Sequence, residues 1–345
     1  MIFFRADGNP RIGTGHMMRC LSLADAFREG GVPSAFVTAE PYMRPLVEER
    51  GYECLVLDSA YDRIEEELPA LLPLLKARRP ACVLLDSYFV TPEYMRALRA
   101  AAPLVYMDDL NAFAYPADVV VNYNLYAEAM DYPPDKAYLL GPRYAPLRKQ
   151  FQDLAPRVTR ERAERILFST GGTDQYHIAL RCVEYLLERP PAPGAVYDFV
   201  LGSMNRDAEE IERLAAGAAY IAAHRKVSDM RGLMLRCDAA VSAAGTTLYE
   251  LCACGLPTVT YILADNQIRG AAAFEAAELM PCAGDVRRNH DLTERIFSKL
   301  DGLRGRDLRG ETARRMRSLV DGNGAARLAA ELRGLLERGG NPWTV

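Results

Sequence analysis

The chain has 345 residues, and its 42 Lys and Arg against 46 Asp and Glu leave a formal net charge of −4. A charge so near zero argues against nucleic acid as a partner, because proteins that bind a phosphate backbone carry an excess of basic residues. With 50% hydrophobic and 26% charged residues, the composition excludes a disordered or collagen-like chain. The length favours two domains, since a single hydrophobic core stops growing beyond about 250–300 residues.

The amino terminus carries a short apolar run and then a glycine-rich loop, without the basic start and the longer apolar stretch of a secretion signal. No stretch of about 18 residues is apolar enough to span a bilayer. We therefore expect a cytoplasmic protein that has no membrane partner.

The eight cysteines include no C-x-x-C pair, and we expect buried free thiols. Cys252 and Cys254 stand two apart in a predicted helix, so their side chains point to different faces and do not share a metal. The sequence predicts neither a metal site nor a cofactor.

Short β-rich runs alternate with amphipathic helical stretches along the whole chain, and this alternation predicts an α/β fold with parallel sheets and crossover helices. In the first half, a helix over residues 16–29 follows the first strand and ends at Gly30-Gly31. The predicted strands of this half are residues 2–5, 34–38, 53–57, 81–85, 104–107 and 119–122.

The second half starts the same alternation again. A glycine turn and a helix to about residue 189 follow its first strand. After Asp291 the chain is charged and helical, and the tail beyond about residue 290 carries no motif that we can assign. The predicted strands of this half are residues 165–169, 197–201, 220–223, 239–242 and 258–261.

Residues 141–160 are unsuited to one continuous helix or strand, because Pro142, Pro146 and Pro156 stand among charged residues there. We therefore place the boundary between the two domains in this stretch. The first domain covers residues 1–150, and the second covers residues 157–345 with the carboxy-terminal helices.

A glycine-rich loop, Ile12-Gly13-Thr14-Gly15-His16, follows the first strand and opens the first long helix. Its backbone amides suit an anion or a hydroxyl group at the positive end of the helix. No third glycine follows, so the dinucleotide fingerprint is incomplete and a nicotinamide cofactor is not supported.

His16 stands where a ligand can be reached, and histidine exchanges a proton near neutral pH. A helix-capping or packing role for His16 stays open at this point. Arg5, Asp7 and Arg19 are near it in sequence, and they either orient the imidazole or pair with one another.

Polar clusters end three of the other predicted strands of this half. In open parallel sheets ligands bind beyond the carboxyl ends of the strands, so these clusters favour a binding cleft near His16. Each cluster alone is equally well explained as a loop cap, since Asp, Asn and Ser favour turns. The clusters are Asp86-Ser87-Tyr88, Asp108-Asp109 and Asn122-Tyr123-Asn124.

Two further glycine turns lie between a strand and a helix in the second half, where backbone amides can face a phosphate. A plain tight turn is the alternative for the first of them. Glu250, in the first turn of the helix after the second, either accepts hydrogen bonds from a ribose diol or complements the helix dipole. The turns are residues 169–174 and 242–247, and Asp265-Asn266-Gln267 follows the next strand with further amides.

The opening motifs, Arg5-Ala6-Asp7 and Gly13 to Arg19, resemble the signature of the PseG family, the UDP-2,4-diacetamido-2,4,6-trideoxy-β-L-altropyranose hydrolases of pseudaminic acid biosynthesis. The strand-end clusters and the glycine turns occur in the order of that family over roughly residues 1–290. The stretch 242–267 is also similar to the nucleotide-binding half of the MurG-like glycosyltransferases.

This resemblance implies a GT-B fold, in which two Rossmann-like domains face each other across a cleft. It implies metal-free, inverting hydrolysis of the UDP-sugar to UDP and the free sugar. His16 would be the general base, and Tyr88 would hold the sugar. Ser87 departs from the family pattern, in which some relatives carry histidine, and sugar selectivity is therefore left open.

The resemblance divides the other site residues between the two domains. The implied contacts to the sugar are Arg5, Asp7, Gly15, Arg19, Asp86, Asp108 and Asn124. The implied contacts to UDP are Gly171, Gly172, Thr173, Asp174, Gly245, Thr246, Thr247, Glu250, Asn266 and Gln267. Two alternatives stay open: a GT-B glycosyltransferase that uses a UDP-sugar donor, and a non-catalytic protein that binds nucleotide sugars.

Overall fold

The computed structural model describes residues 1–202 and 204–338. They divide into two compact units. The first unit contains residues 1–148 together with the described chain from Asn323, and the second contains Lys149–Gly322. Each unit is an α/β domain on its own parallel sheet, which confirms the predicted fold class of two Rossmann-like domains.

The sheet of the first unit has seven strands among the described residues, and every neighbouring pair is parallel. The strands are β1 (Ile2–Ala6), β2 (Ser34–Thr38), β3 (Glu53–Val56), β4 (Cys82–Asp86), β5 (Leu104–Met107), β6 (Val119–Asn122) and β7 (Ala137–Leu140). Their order across the sheet is β3-β2-β1-β4-β5-β6-β7. The central strands are buried on both faces, which is why they are continuous apolar runs and do not alternate with polar residues.

The sheet of the second unit has six parallel strands within the part of the chain that is described. The strands are β8 (Arg165–Ser169), β9 (Val196–Leu201), β10 (Ile221–Arg225), β11 (Ala239–Ala243), β12 (Thr258–Ile262) and β13 (Cys282–Asp285). Their order is β10-β9-β8-β11-β12-β13.

The helices lie between the strands, as the alternation predicts. They are α1 (Gly15–Glu29), α2 (Arg44–Glu49), α3 (Leu68–Arg78), α4 (Pro92–Ala101), α5 (Ile178–Glu188), α6 (Ala208–Ala215), α7 (Met230–Arg236), α8 (Thr247–Cys254), α9 (Ile268–Ala276), α10 (Leu292–Gly302), α11 (Arg306–Leu319) and α12 (Gly324–Arg338). Of the helices described, none is both long enough and apolar enough to cross a bilayer.

Two edge strands, β7 and β13, are absent from the sequence prediction. Each pairs with a single neighbour and is only partly buried, so neither carries the fully buried run of a central strand such as β5. The pairing of β13 with β12 is also irregular in register.

The last described helix, α12, belongs to the first unit, whereas the predicted boundary assigned it to the second domain. It packs against α1 and against the turn Pro142–Tyr144. At its first residue, Gly324, a Cβ atom would lie only 2.2 Å from the carbonyl oxygen of Ala145, so glycine permits this close approach. The amphipathic pattern of α12 predicts a helix but does not tell which sheet its apolar face will cover.

The direction in which strands are added reverses once in each sheet, between β1 and β4 in the first unit and between β8 and β11 in the second. At such a point the loops beyond the carboxyl ends diverge and leave a crevice in which ligands bind. The loop of His16 and the loop of Ser87 flank the first of these points, and the two glycine turns of the second half flank the other.

Candidate functional site

A histidine and a buried aspartate meet at the switch point of the first unit. The Nδ1 atom of His16, the second residue of α1, lies 2.6 Å from Oδ1 of Asp86, the last residue of β4. A carboxylate only accepts hydrogen bonds, so we assign the proton to Nδ1, which leaves the lone pair on Nε2. Within the described residues, Nε2 makes no hydrogen bond to the protein. The pair is therefore arranged as a base with its orienting carboxylate.

Arg19 holds the same carboxylate from the other side. It lies one helical turn after His16, and its Nε and Nη2 atoms donate to the two oxygens of Asp86, each at 2.6 Å. Burial alone would raise the pKa of Asp86, but the charge of Arg19 and the hydrogen bonds from Arg19 and His16 outweigh burial and hold that pKa well below its usual range. Asp86 therefore stays ionised and can stabilise a protonated imidazole.

Asp109 connects this cluster to Tyr88. The Tyr88 hydroxyl donates to Oδ2 of Asp109 at 2.7 Å, and Nη1 of Arg19 donates to the same oxygen at 3.1 Å. Nδ2 of Asn124 donates to the other oxygen at 2.8 Å. The rings of Tyr88 and His16 are nearly perpendicular, with centroids 4.5 Å apart. The structure thus brings Tyr88, Arg19 and Asn124 together with His16, as the sequence predicts.

Asp108 has a different place from the one predicted. It is 1% exposed, and its carboxylate accepts hydrogen bonds from the amides of Leu110 and Asn111 and from the hydroxyls of Tyr115 and Tyr132. These bonds occupy Asp108 with donors from its own loop and with Tyr132 from the loop after β6. The residue that joins the site is its neighbour, Asp109, which belongs to the predicted strand-end cluster but is not among the implied contacts to the sugar.

Arg5 is also placed differently, because its side chain is fully buried. Its Nε and Nη2 atoms donate to Glu67, each at 2.6 Å, and Nη1 donates to Asp7 at 2.5 Å. The other oxygen of Asp7 accepts the amide of Ala39 at 2.8 Å. Arg5 thus holds the carboxylate of Asp7 in position by a hydrogen bond and does not itself reach the pocket lining. Glu67 lies far away in the sequence, and no local pattern marks it as this partner.

A small pocket opens beside the His16 imidazole. One part of its lining is polar, and another part is aromatic and aliphatic. The lining residues are Asp7, Ile12, His16, Tyr61, Asp86, Ser87, Tyr88 and Phe89. Gly15, the first residue of α1, precedes His16 at this end of the helix.

In the second unit, the turn after β11 leads into α8, and Gln267 lies beside it. A Cβ atom placed at Gly245 would lie 3.9 Å from Nε2 of Gln267. The amide of Leu263 donates to Oε1 of Gln267 at 2.8 Å, which turns its Nε2 towards Gly245. Thr246 is exposed and Thr247 begins the helix, so their amides stand at its positive end.

The other two predicted UDP contacts of this region follow the carboxyl ends of the neighbouring parallel strands β11 and β12. Glu250 is in the first turn of α8 and is half-buried, and Asn266 is exposed in the short turn Asp265–Gln267. Their contact with UDP stays a prediction.

The strand β8 does not lead directly into a helix. It ends at Ser169, and α5 begins only at Ile178. The carboxylate of Asp174 accepts the amides of Ile178 and Ala179 at 3.0 and 2.9 Å, so it caps α5. Burial raises the pKa of Asp174, although these two bonds oppose the effect. Asp174 thus occupies the helix end that was predicted to face a phosphate.

Gly171 and Gly172 are exposed, Thr173 is half-buried, and their turn lies against the loop after β9. A Cβ atom at Gly202 would lie 2.4 Å from the carbonyl oxygen of Gly171 and 2.3 Å from that of Gly172. Only glycine at position 202 therefore allows the two loops to approach so closely.

All eight cysteines are free thiols, and seven of them are buried, as predicted. Among residues 1–202 and 204–338, no three His, Cys, Asp or Glu side chains are grouped in a way that could hold a metal ion. The absence of a metal requirement stays a prediction.

No protein-family model matches the chain. It is 23% identical to the spore coat polysaccharide biosynthesis protein SpsG of Bacillus subtilis, over 96% of this chain and 98% of that protein. It is 26% identical to the UDP-2,4-diacetamido-2,4,6-trideoxy-β-L-altropyranose hydrolase of Campylobacter jejuni, over 54% of this chain and 65% of that protein. An uncharacterised protein of Methanocaldococcus jannaschii is 24% identical over 76% of this chain, which spans 55% of that protein's length.

Solved structures match nearly the whole chain. MurG of Acinetobacter baumannii superposes with a TM-score of 0.70 at 16% identity, over 96% of this chain and 99% of that one. The calicheamicin glycosyltransferase superposes with a TM-score of 0.65 at 17% identity, over 98% of both chains. The protein thus has the GT-B fold and is distantly similar to a UDP-sugar hydrolase.

Proposed function

We propose that this protein is an enzyme that acts on nucleotide sugars and hydrolyses a UDP-sugar to UDP and the free sugar with inversion at the anomeric carbon. The observation that carries the proposal is the His16–Asp86 pair, whose free Nε2 stands beside a pocket at the switch point of the first unit. The distant similarity to the Campylobacter jejuni hydrolase supports it. The proposed substrate is the UDP-linked 2,4-diacetamido-2,4,6-trideoxy hexose that the sequence resemblance implies.

In this mechanism, Nε2 of His16 takes a proton from a water molecule while the water oxygen forms a bond to the anomeric carbon. The bond between that carbon and the phosphate oxygen breaks, and its electron pair leaves with UDP. Asp86 keeps Nδ1 protonated throughout and stabilises the imidazolium that forms. Tyr88, held by Asp109, is proposed to orient the sugar.

The second unit is proposed to hold UDP. The amides at the start of α8 and the Nε2 atom of Gln267 are donors suited to the phosphates, and they stabilise the charge that develops on the leaving group. Glu250 is proposed to accept hydrogen bonds from the ribose. The exposed amides of Gly171 and Gly172 are further donors, whereas Asp174 supports this loop as the cap of α5.

Glycosyl transfer is the second candidate, because one of the similar solved structures is named as the calicheamicin glycosyltransferase. Transfer needs the same base, which would then deprotonate an acceptor hydroxyl in place of water. A non-catalytic binding protein is less well supported, since such a protein has no need of a buried carboxylate that orients His16.

The test is UDP release from the proposed substrate by the purified protein without an acceptor. We expect wild-type turnover and a decrease of about 10²–10⁴-fold in His16→Asn, with UDP affinity unchanged. His290→Asn, an exposed histidine of the second unit, is the matched control and should keep wild-type turnover. UDP release that requires an added acceptor would identify a transferase. Wild-type turnover and pH profile in His16→Asn would remove His16 from the mechanism.

A further inference from the structure

The pocket beside His16 has an aromatic side that the proposed mechanism does not use. Phe89 and Tyr61 lie in its lining together with Ile12. The two rings meet edge to face, at 76° with centroids 5.4 Å apart. They come from loops far apart in the sequence, so this contact forms only in the folded protein.

Phe89 is unusual because it is 38% exposed, whereas most large apolar side chains of this chain are buried. The loop holds it in place: its amide donates to Oγ of Ser87 at 3.2 Å, and the next residue, Val90, is buried. A phenyl ring kept partly in solvent beside a catalytic histidine is suited to cover an apolar part of a ligand.

Tyr61 adds a polar group to this surface. Its side chain is half-buried, and its hydroxyl makes no hydrogen bond to any residue that the structure describes. A phenol beside a phenyl ring offers a flat apolar surface and one hydrogen-bond donor at its edge. An acetamido group matches this pair, since its methyl group is apolar and its carbonyl oxygen accepts a hydrogen bond.

We infer that Phe89 and Tyr61 form a subsite for an acetamido substituent of the sugar, with the methyl group against the rings and the carbonyl oxygen on the Tyr61 hydroxyl. The inference rests on the proposed function, because it assumes that the sugar binds over the opening of the pocket of His16, whose volume of about 10 Å³ has room for about one water molecule. It assigns sugar selectivity to two residues that touch the substituent and take no part in proton transfer.

The experiment measures the affinities for UDP, UDP-glucose and UDP-N-acetylglucosamine by calorimetry. The two UDP-sugars differ in one acetamido group. We expect the wild-type protein to prefer the acetamido sugar by about tenfold, from one buried methyl group and one hydrogen bond. In Phe89→Ala the preference should decrease to about twofold, and in Tyr61→Phe to an intermediate value. The affinity for UDP should not change in either variant.

Leu308→Ala is the control, because Leu308 is an exposed apolar residue of the second unit, 49% accessible, and should leave the preference unchanged. A wild-type protein without the preference, or a preference that survives Phe89→Ala, would overturn the subsite. UDP release separates the two proposals. A preference without UDP release leaves the subsite standing and rejects hydrolysis, whereas hydrolysis without a preference rejects only the subsite.

Discussion

The imidazole of His16 and the carboxylate of Asp86 form a hydrogen bond of 2.6 Å although 70 residues separate them in the chain. The pairing of β1 with β4 creates this contact, because it sets the end of β4 beside the loop that leads from β1 into α1. Arg19 then neutralises the buried carboxylate on its other side.

Replacing Asp86 by Asn should lower turnover by about 10²–10⁴-fold, because an amide no longer holds the proton on Nδ1 of His16. It should also lower the free energy of unfolding by about 3–5 kcal/mol, since Arg19 loses a buried partner. Kinetics and urea denaturation at neutral pH measure the two effects. Asp307→Asn, at an exposed position in α11, should change stability by less than about 0.5 kcal/mol.

The stability of the wild-type protein should depend on pH through the same carboxylate. The pKa of Asp86 is lower in the folded protein than in the unfolded chain, where it is about 4. Its contribution is therefore complete above about pH 4 and is lost as the pH falls below that value. Denaturation between pH 3 and pH 7 should show a steeper acid loss for the wild type than for Asp86→Asn, and equal slopes would contradict this prediction.

The neighbours Asp108 and Asp109 should respond differently to the same substitution. Asp109→Asn should lower kcat by about 10- to 100-fold, because asparagine keeps one acceptor oxygen for the two donors Tyr88 and Asn124, and Tyr88 is then positioned less firmly. Asp108→Asn should mainly lower the free energy of unfolding, by about 1–3 kcal/mol, because its loop loses an acceptor for buried donors. Kinetics and denaturation of both variants measure kcat and the free energy of unfolding. A loss of kcat in Asp108→Asn without a loss of stability would indicate that Asp108 contacts the substrate.

Glu250→Ala should weaken UDP binding by about tenfold or more if its carboxylate accepts hydrogen bonds from the ribose. Glu209→Ala is the matched control, since Glu209 is also an acidic residue in the first turn of a helix of the second unit. Calorimetry with UDP measures both affinities. Equal affinity in the two variants would leave Glu250 as a complement to the helix dipole.

A chelator should leave turnover unchanged, because the proposed mechanism stabilises UDP with helix amides and Gln267 and uses His16 as the base. The measurement is UDP release before and after dialysis against EDTA. Activity that is lost and then restored by a divalent ion would reject the metal-free mechanism.

The positions of strands and helices were largely predictable from the sequence, because central strands of parallel sheets are apolar runs and the helices between them are amphipathic. His16 was found in the same way, since its glycine loop joins a strand to a helix. The edge strands β7 and β13 escaped prediction although β5 and β6 are equally short, because each pairs with one neighbour only and is partly buried, so burial imposes less of an apolar pattern on its sequence.

The sequence by itself determined the α/β class, the two sheets and the loops in which polar residues collect. Only the tertiary structure decided which carboxylate meets His16, that Asp109 and not Asp108 joins the cluster, that Arg5 is buried on Glu67, and that α12 packs on the first unit. The reason is physical: local patterns report the burial and the backbone preference of each segment. The partner of a buried charge, in contrast, is set by strand order and by side-chain direction, which depend on contacts between residues far apart in the chain.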